Sequence, residues 1–189
     1  MKHGFLAALM LGAASLSGAA HAQQATITQT IAAGGTLVLL TEGNNAAATV
    51  AGSVQLTTTG SISGFAIFRY NPTGQEAVVP LETRNANAYV LAFDDTNGIA
   101  TGLALANVSQ QAVSVPVILR DDTGTNLGTA RINLAPLGHT AFILADRYPS
   151  VAAKRGTVEF DTPTGAQISA LGLRGTASGA VTTIPVLAK

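Results

Sequence analysis

The chain has no cysteine and no tryptophan, and charged residues make up only 11% of its 189 positions. Ordinary soluble domains carry roughly 25%. Without cysteine there is no disulfide framework, no thiolate nucleophile and no thiolate metal ligand. Beyond the first 22 residues His139 is the one histidine, so zinc, which takes several His or Cys ligands, is excluded by count. Lys and Arg balance Asp and Glu, ten against ten. That balance supplies no steering field toward nucleic acid or anionic lipid, and nucleic acid is not an expected partner. So little charge also disfavours solvated helices, while a hydrophobic share of 47% disfavours a disordered chain.

The first residues have their own pattern. Lys2 and His3 precede an uncharged run from Phe5 to Ala20, and Ala20-His21-Ala22 closes it. A basic start, a short apolar centre and an A-x-A end are the parts of a secretory signal peptide. The run is too short for a comfortable bilayer span. Residues 1–22 are therefore expected to be cleaved, leaving a chain that starts at Gln23 and has no integral membrane span. It would be exported, to the periplasm or outside the cell. That destination permits disulfides, yet none is used; the remaining length can bury a core without them.

What is abundant is Ala, Gly, Thr, Val and Leu, in short runs separated by turn residues. Strands are expected near 26–31, 35–41, 52–58, 62–70, 76–82, 88–94, 99–107, 112–120, 126–134, 139–145, 155–161, 167–174 and 180–187, the β-branched and aromatic content marking them. Between them fall Gly34-Gly35, Gly43-Asn44-Asn45, Asn71-Pro72-Thr73-Gly74, Asp94-Asp95-Thr96-Asn97-Gly98 and Asp121-Asp122-Thr123-Gly124. Gly and Asn accept positive φ and Asp bonds back to its own backbone, so these are turns. Besides the leader, only Arg147–Lys154 and the alanines at 46–48 leave room for a helical turn. The fold class is all-β, and strands spaced by about ten residues suit a sandwich or barrel.

Alternation then assigns faces. Phe65 and Ile67 oppose Gly64 and Ala66; Leu103 and Leu105 oppose Ala104 and Ala106. Period two sends the large residues into an inter-sheet core and leaves an outer face of small residues open to close approach. Phe68 falls on that outer face, where either a loop covers it or it joins an apolar patch.

An internal duplication with a period of about 105 residues is also legible. Gly52-Ser53-Val54-Gln55-Leu56 echoes Gly156-Thr157-Val158-Glu159-Phe160, Ile62-Ser63 echoes Ile168-Ser169, Arg69 echoes Arg174, and Val79-Pro80-Leu81 echoes Ile184-Pro185-Val186. Upstream, Leu37 and Leu39 match Phe142 and Leu144. Residues 31–82 and 135–187 are thus similar halves of a 23–189 domain, while 88–133 has one copy. In one arrangement, 88–187 is a complete sandwich preceded by a half-unit. In the other, the two halves pack as one pseudo-symmetric sandwich with 88–133 in its middle. The second is expected, because a lone half-unit leaves an apolar face and open edges.

The stretches GFAIFRYNPTGQEAVVPLETRN, LAFDDTNGIATGLALAN, VPVILRDDTG, LGHTAFILADRYP, KRGTVEFDTP, ISALGLR and TTIPVL together resemble a module of secreted proteins from Acidobacteria and similar soil bacteria. The resemblance covers roughly 50–187. It implies an immunoglobulin-like β-sandwich and export, and it carries over no catalytic or binding residue.

Chemistry-bearing residues are few. A Ser/His/Asp hydrolase would have to use His139, at a strand start, and no G-x-S-x-G elbow is present. The paired acids of two turns make Asp94, Asp95, Asn97, Asp121 and Asp122 candidates for a calcium site, since hard cations take oxygen ligands, although the EF-hand spacing is missing. Glu76, Glu82, Asp146, Glu159 and Asp161 are the carboxylates available to a glycosidase, and no two form a motif. Glu82 with Arg84, and Glu159 with Arg155, read equally as surface ion pairs. A sugar-binding platform would rest on Tyr70, Tyr89 and Tyr148, whose hydroxyls are expected in water at a packed rim. Arg69 and Arg174 read as strand-end caps. The expected function is a non-catalytic structural or interaction module without a cofactor, its partner an envelope protein or polysaccharide. A carbohydrate-binding module is the alternative, and a hydrolase comes third.

Overall fold

A computed structural model describes residues 2–8, 26–40, 52–70 and 74–189. The expected turns at 43–45 and 71–73, the alanines at 46–48 and the cleavage site at Ala22 lie outside the described residues.

The strands are β1 Lys2–Ala8, β2 Gly52–Thr58, β3 Phe65–Tyr70, β4 Gln75–Pro80, β5 Ala88–Asp94, β6 Ala100–Asn107, β7 Val113–Asp121, β8 Asn126–Leu134 and β9 His139–Ile143. After a single helical turn, α1 (Leu144–Arg147), and a 3-10 turn at Pro149–Val151, come β10 Arg155–Asp161, β11 Ile168–Gly175, β12 Val181–Ile184 and β13 Val186–Ala188. Pro185, which has no N–H to give, splits the expected 180–187 strand in two.

All ladders are antiparallel. Two sheets, β13-β5-β10-β7-β8 and β12-β11-β6-β9, face each other. Strict alternation builds the interface: Val113, Val115, Val117 and Leu119 of β7 point inward, and they meet Leu91, Leu103, Leu105, Phe160 and Ile168 in one cluster. The all-β sandwich is therefore as expected. Its connectivity is not the immunoglobulin-like one. An immunoglobulin sandwich keeps strands A and B, D and E, and F and G together within a sheet. Here successive strands from β5 onward cross between sheets at every connection except the β7–β8 and β11–β12 hairpins. The order β5-β10-β7-β8 against β11-β6-β9 is that of a jelly roll.

Both facing sheets come from residues 88–188 alone, which corrects the expected pseudo-symmetric packing of two halves. β3 and β4 form a separate hairpin that lies across the outside of the second sheet. Ala77, Val79 and Phe68 there meet Ala104, Ala106, Leu171 and Leu173. The small outer face is thus approached closely, by this hairpin, and Phe68 is covered. Thr183 Oγ1 donates to the Val78 carbonyl and ties the hairpin to β12.

Two other expectations fail in the same region. Phe65 and Ile67 point outward, 67% and 55% exposed, because the hairpin turns its Ala66/Phe68 face to the sandwich. No strand forms at 26–31 or 35–40, where every residue is exposed and no ladder partner is at hand. β1 lies within the expected leader, one of the two stretches with helical potential, yet its residues are extended and pair with β2 along seven positions.

Candidate functional site

Sheet pairing brings the two aspartate turns to one end of the sandwich. β10 runs between β5 and β7, so Arg155 stands opposite Asp94 and Gly156 opposite Asp121. Thr96, Asp121, Asp122, Ala153, Lys154 and Arg155 line a shallow depression between the turns. The carboxylates are already engaged. Asp94 Oδ1 accepts from Thr96 N (3.0 Å) and Thr96 Oγ1 (2.6 Å), and Arg155 Nε stands 3.3 Å away. Asp121 Oδ1 accepts from Thr123 N (3.0 Å), Thr123 Oγ1 (2.6 Å) and Thr125 N (2.9 Å). These bonds, led in each case by the threonine hydroxyl, hold both carboxyls below the usual carboxylate range. Asp95 is pushed the other way, first by burial and then by the Asp146 and Asp94 charges.

The two turns that carry the five calcium candidates thus sit at one end, but Asp94 and Asp121 each commit one carboxylate oxygen, Oδ1, to their own turn, and Lys154 and Arg155 line the depression beside Asp121 and Asp122. Asn97 takes φ 54°, a turn role. Among the described residues, no three His, Cys, Asp or Glu side chains converge as a metal would require.

The remaining candidates are dispersed. His139 opens β9 opposite Ala106 and is half-buried. Glu76 stands opposite Arg69 on the outer hairpin. Glu82 forms an ion pair with Arg84 at 2.6 Å, and Arg84 also donates to the Val186 carbonyl. Glu159 is held by Lys189 (2.8 Å) and Arg120 (3.0 Å), which lower its pKa in that order. The expected Glu159–Arg155 pair is absent because Arg155 sits at the strand start and reaches Asp94 instead. Asp161 and Glu159 share the outward face of β10, and Arg174 stands between Thr101 and Thr182.

Tyr89 and Tyr148 do not form a platform. Tyr89 is 1% exposed in the core, and its hydroxyl donates to the Arg84 carbonyl rather than to water. Tyr148 packs edge-on against Phe142 with its hydroxyl buried, also out of water. The side chain of Tyr70 lies outside the described residues.

The surface feature that individual candidate residues did not announce is collective. Of the exposed large hydrophobic side chains, Ile27, Ile31, Leu37 to Leu40, Val54, Phe65, Ile67 and Val78 all precede residue 80, and only Leu187 lies in the sandwich. The same region is nearly uncharged: from Gln23 to Phe68 the one ionisable side chain is Glu42. Charge distribution along the chain was the signal that could have found it.

No family model matches the chain, and neither a curated protein nor a solved structure matches it.

Proposed function

We propose that this chain is an exported, non-catalytic interaction module whose working surface is its N-terminal part, residues 26–80, carried on the 88–188 sandwich. The observation that carries this reading is the segregation of exposed apolar side chains. Clustered exposed apolar side chains mark contact sites, and here all the exposed large hydrophobics among the described residues except Leu187 belong to elements outside the two sheets. Of the candidate catalytic carboxylates, Glu82 is held by Arg84, and Glu159 by Lys189 and Arg120. Export is supported by the basic-apolar-A-x-A start and by the resemblance to secreted soil-bacterial modules. No helix among the described residues is long and apolar enough to cross a membrane. The partner class is an envelope protein or a cell-surface polysaccharide.

We also read 31–82 and 135–187 as duplicated halves. In support, β3–β4 and β11–β12 are both antiparallel hairpins that end at an x-Pro-x step. Their registers differ by one residue: Arg69 faces Glu76, whereas Arg174 faces Thr182.

The test is to express the whole gene with its leader, fractionate the cells and determine the N-terminus by mass spectrometry. The expected product begins at Gln23 and is found in the periplasm or medium, and it binds immobilised envelope material. An uncut chain retained in the cytoplasm would overturn the export reading. A glycan array separates the alternative: selective binding to one polysaccharide class would replace the protein-binding reading with a carbohydrate-binding one.

A further inference from the structure

We propose that the precursor, once folded, withholds its own leader: β2 and the outer face of the second sheet clasp residues 2–8, so export has to begin before the sandwich is complete. The proposal rests on the reading of residues 1–22 as a leader. The contact itself is present in the structure. Every residue of β1 is in register with β2, from Lys2↔Thr58 to Ala8↔Gly52. β1 also lies against β11, β6 and β3, and among the described residues it is the element that joins β2 to the sandwich.

β1 holds the parts that a leader offers to the membrane and the export machinery. Lys2 and His3 are the basic start, and Phe5 to Ala8 open the apolar run. Here their backbone is extended and committed to a ladder. Nothing in β2 opposes that pairing: Gly52-Ser53-Val54-Gln55-Leu56-Thr57-Thr58 has no charge and no proline, and the register runs without a shift. On the strands beneath, the outward Ala104 and Ala106 of β6 and Ser169 of β11 are small and buried.

Chain order sets when the clasp can close. β1 is made first, whereas β11, Ile168–Gly175, is made nearly last. The sheet that receives β1 forms only when β11 pairs with β6. The leader is therefore free while the chain grows, and contacts so distant in sequence are slow to form. The leader also has no Arg pair, the address of a route that carries folded chains. It suits a route taken by unfolded chain, and a clasp that closes late leaves time for it.

The test uses the full-length precursor, made by cell-free synthesis and folded, with the chain that starts at Gln23 for comparison. Hydrogen exchange at 2–8 is expected to be slower than at 26–40 of the same molecule, and exchange at 52–58 faster in the Gln23 chain than in the precursor. Leader peptidase in phosphatidylethanolamine–phosphatidylglycerol vesicles is expected to cut the folded precursor roughly tenfold or more slowly than precursor diluted from urea, because cutting follows the fraction open. Successive residues of an antiparallel strand alternate between bonding across the ladder and facing away. One of Val54→Pro and Gln55→Pro therefore removes a bond to β1, and that variant is expected to restore both exchange at 2–8 and cutting. The sandwich Tm is expected to hold, since β2 is joined to the sandwich through β1. Exchange at 2–8 as fast as at 26–40, or cutting indifferent to folding, overturns the clasp and leaves the export reading intact. Failure of both proline variants to release residues 2–8 also overturns it. Precursor that leader peptidase leaves uncut even from urea overturns the leader reading, and the proposal with it.

Discussion

Gly156 offers a sharp test of the packing. It stands on β10 with Phe93 of β5 on one side and Asp121 of β7 on the other. A Cβ added there would lie 1.9 Å from the Arg120 carbonyl oxygen and 2.7 Å from Asp121 Cα. Both neighbours are backbone atoms, so no rotamer change relieves the overlap and a central strand has to move. Overpacking of a core costs 1–3 kcal/mol, and a backbone clash belongs at the top of that range, so Gly156→Ala should lose about 3 kcal/mol. At roughly 4–8 °C per kcal/mol for a unit of this size, Tm should fall on the order of 15 °C. Gly52, which heads the similar sequence Gly52-Ser53-Val54-Gln55-Leu56, supplies the control, since nothing lies within 4 Å of a Cβ built there. Gly52→Ala should therefore be neutral, or gain a few tenths of a kcal/mol from the lower entropy of the unfolded chain. Urea unfolding followed by far-UV circular dichroism measures both, since tryptophan is absent. Equal losses in the two variants, or a neutral Gly156→Ala, would refute the placement of β10 between β5 and β7.

Other expectations follow from single interactions. Asn107 is fully buried; it donates to the Gln111 and Ala135 carbonyls at 2.7 and 2.8 Å and accepts from Ser109 N at 2.9 Å. Asn107→Ala should cost about 3 kcal/mol by stranding buried backbone groups, and hydrogen exchange should quicken at 108–112 and 135–138. Glu159, whose pKa is lowered by Lys189 and then Arg120, contributes stability that is present above the unfolded glutamate value and lost as pH falls through the lower folded value. Unfolding measured below about pH 4.3 should show that loss in the wild type and not in Glu159→Gln, the pairs being worth about 1 kcal/mol or less. Millimolar calcium should leave Tm unchanged, because Oδ1 of Asp94 and of Asp121 serves its own turn and, among the described residues, no three His, Cys, Asp or Glu side chains converge; a rise saturating with calcium would reverse that.

The sandwich was legible because its signal is local. Alternation in Val113–Leu119 and in Leu103/Leu105 against Ala104/Ala106 fixes faces without knowledge of the partner strand. Turn chemistry marked the Asp94 and Asp121 turns, and the hydrogen bonds there are those turns require. Connectivity was not legible, since period-two patterning says which face is buried and nothing about which strand lies alongside. Phe65 and Ile67 show the limit. Both faces of β3 carry large apolar residues, so the pattern alone did not decide which one meets the sandwich, and the structure turns Phe68 inward. The 26–40 segment has strand-forming residues but no pairing partner among the described residues, and propensity without a ladder leaves it irregular. The scarcity of charge from Gln23 to Phe68 pointed to the apolar N-terminal surface, but which side chains are exposed there is known only from the structure.

Hydrogen exchange by mass spectrometry on dilute, processed protein measures the division of labour most directly. Amides of β5, β6, β7, β10 and β11 should exchange slowest, as the strands around the buried cluster of Leu91, Leu103, Val117 and Phe160, while 26–40 should exchange within the earliest time points. Equal protection across 26–80 and 88–188 would contradict a self-contained sandwich carrying an exposed, partner-seeking arm.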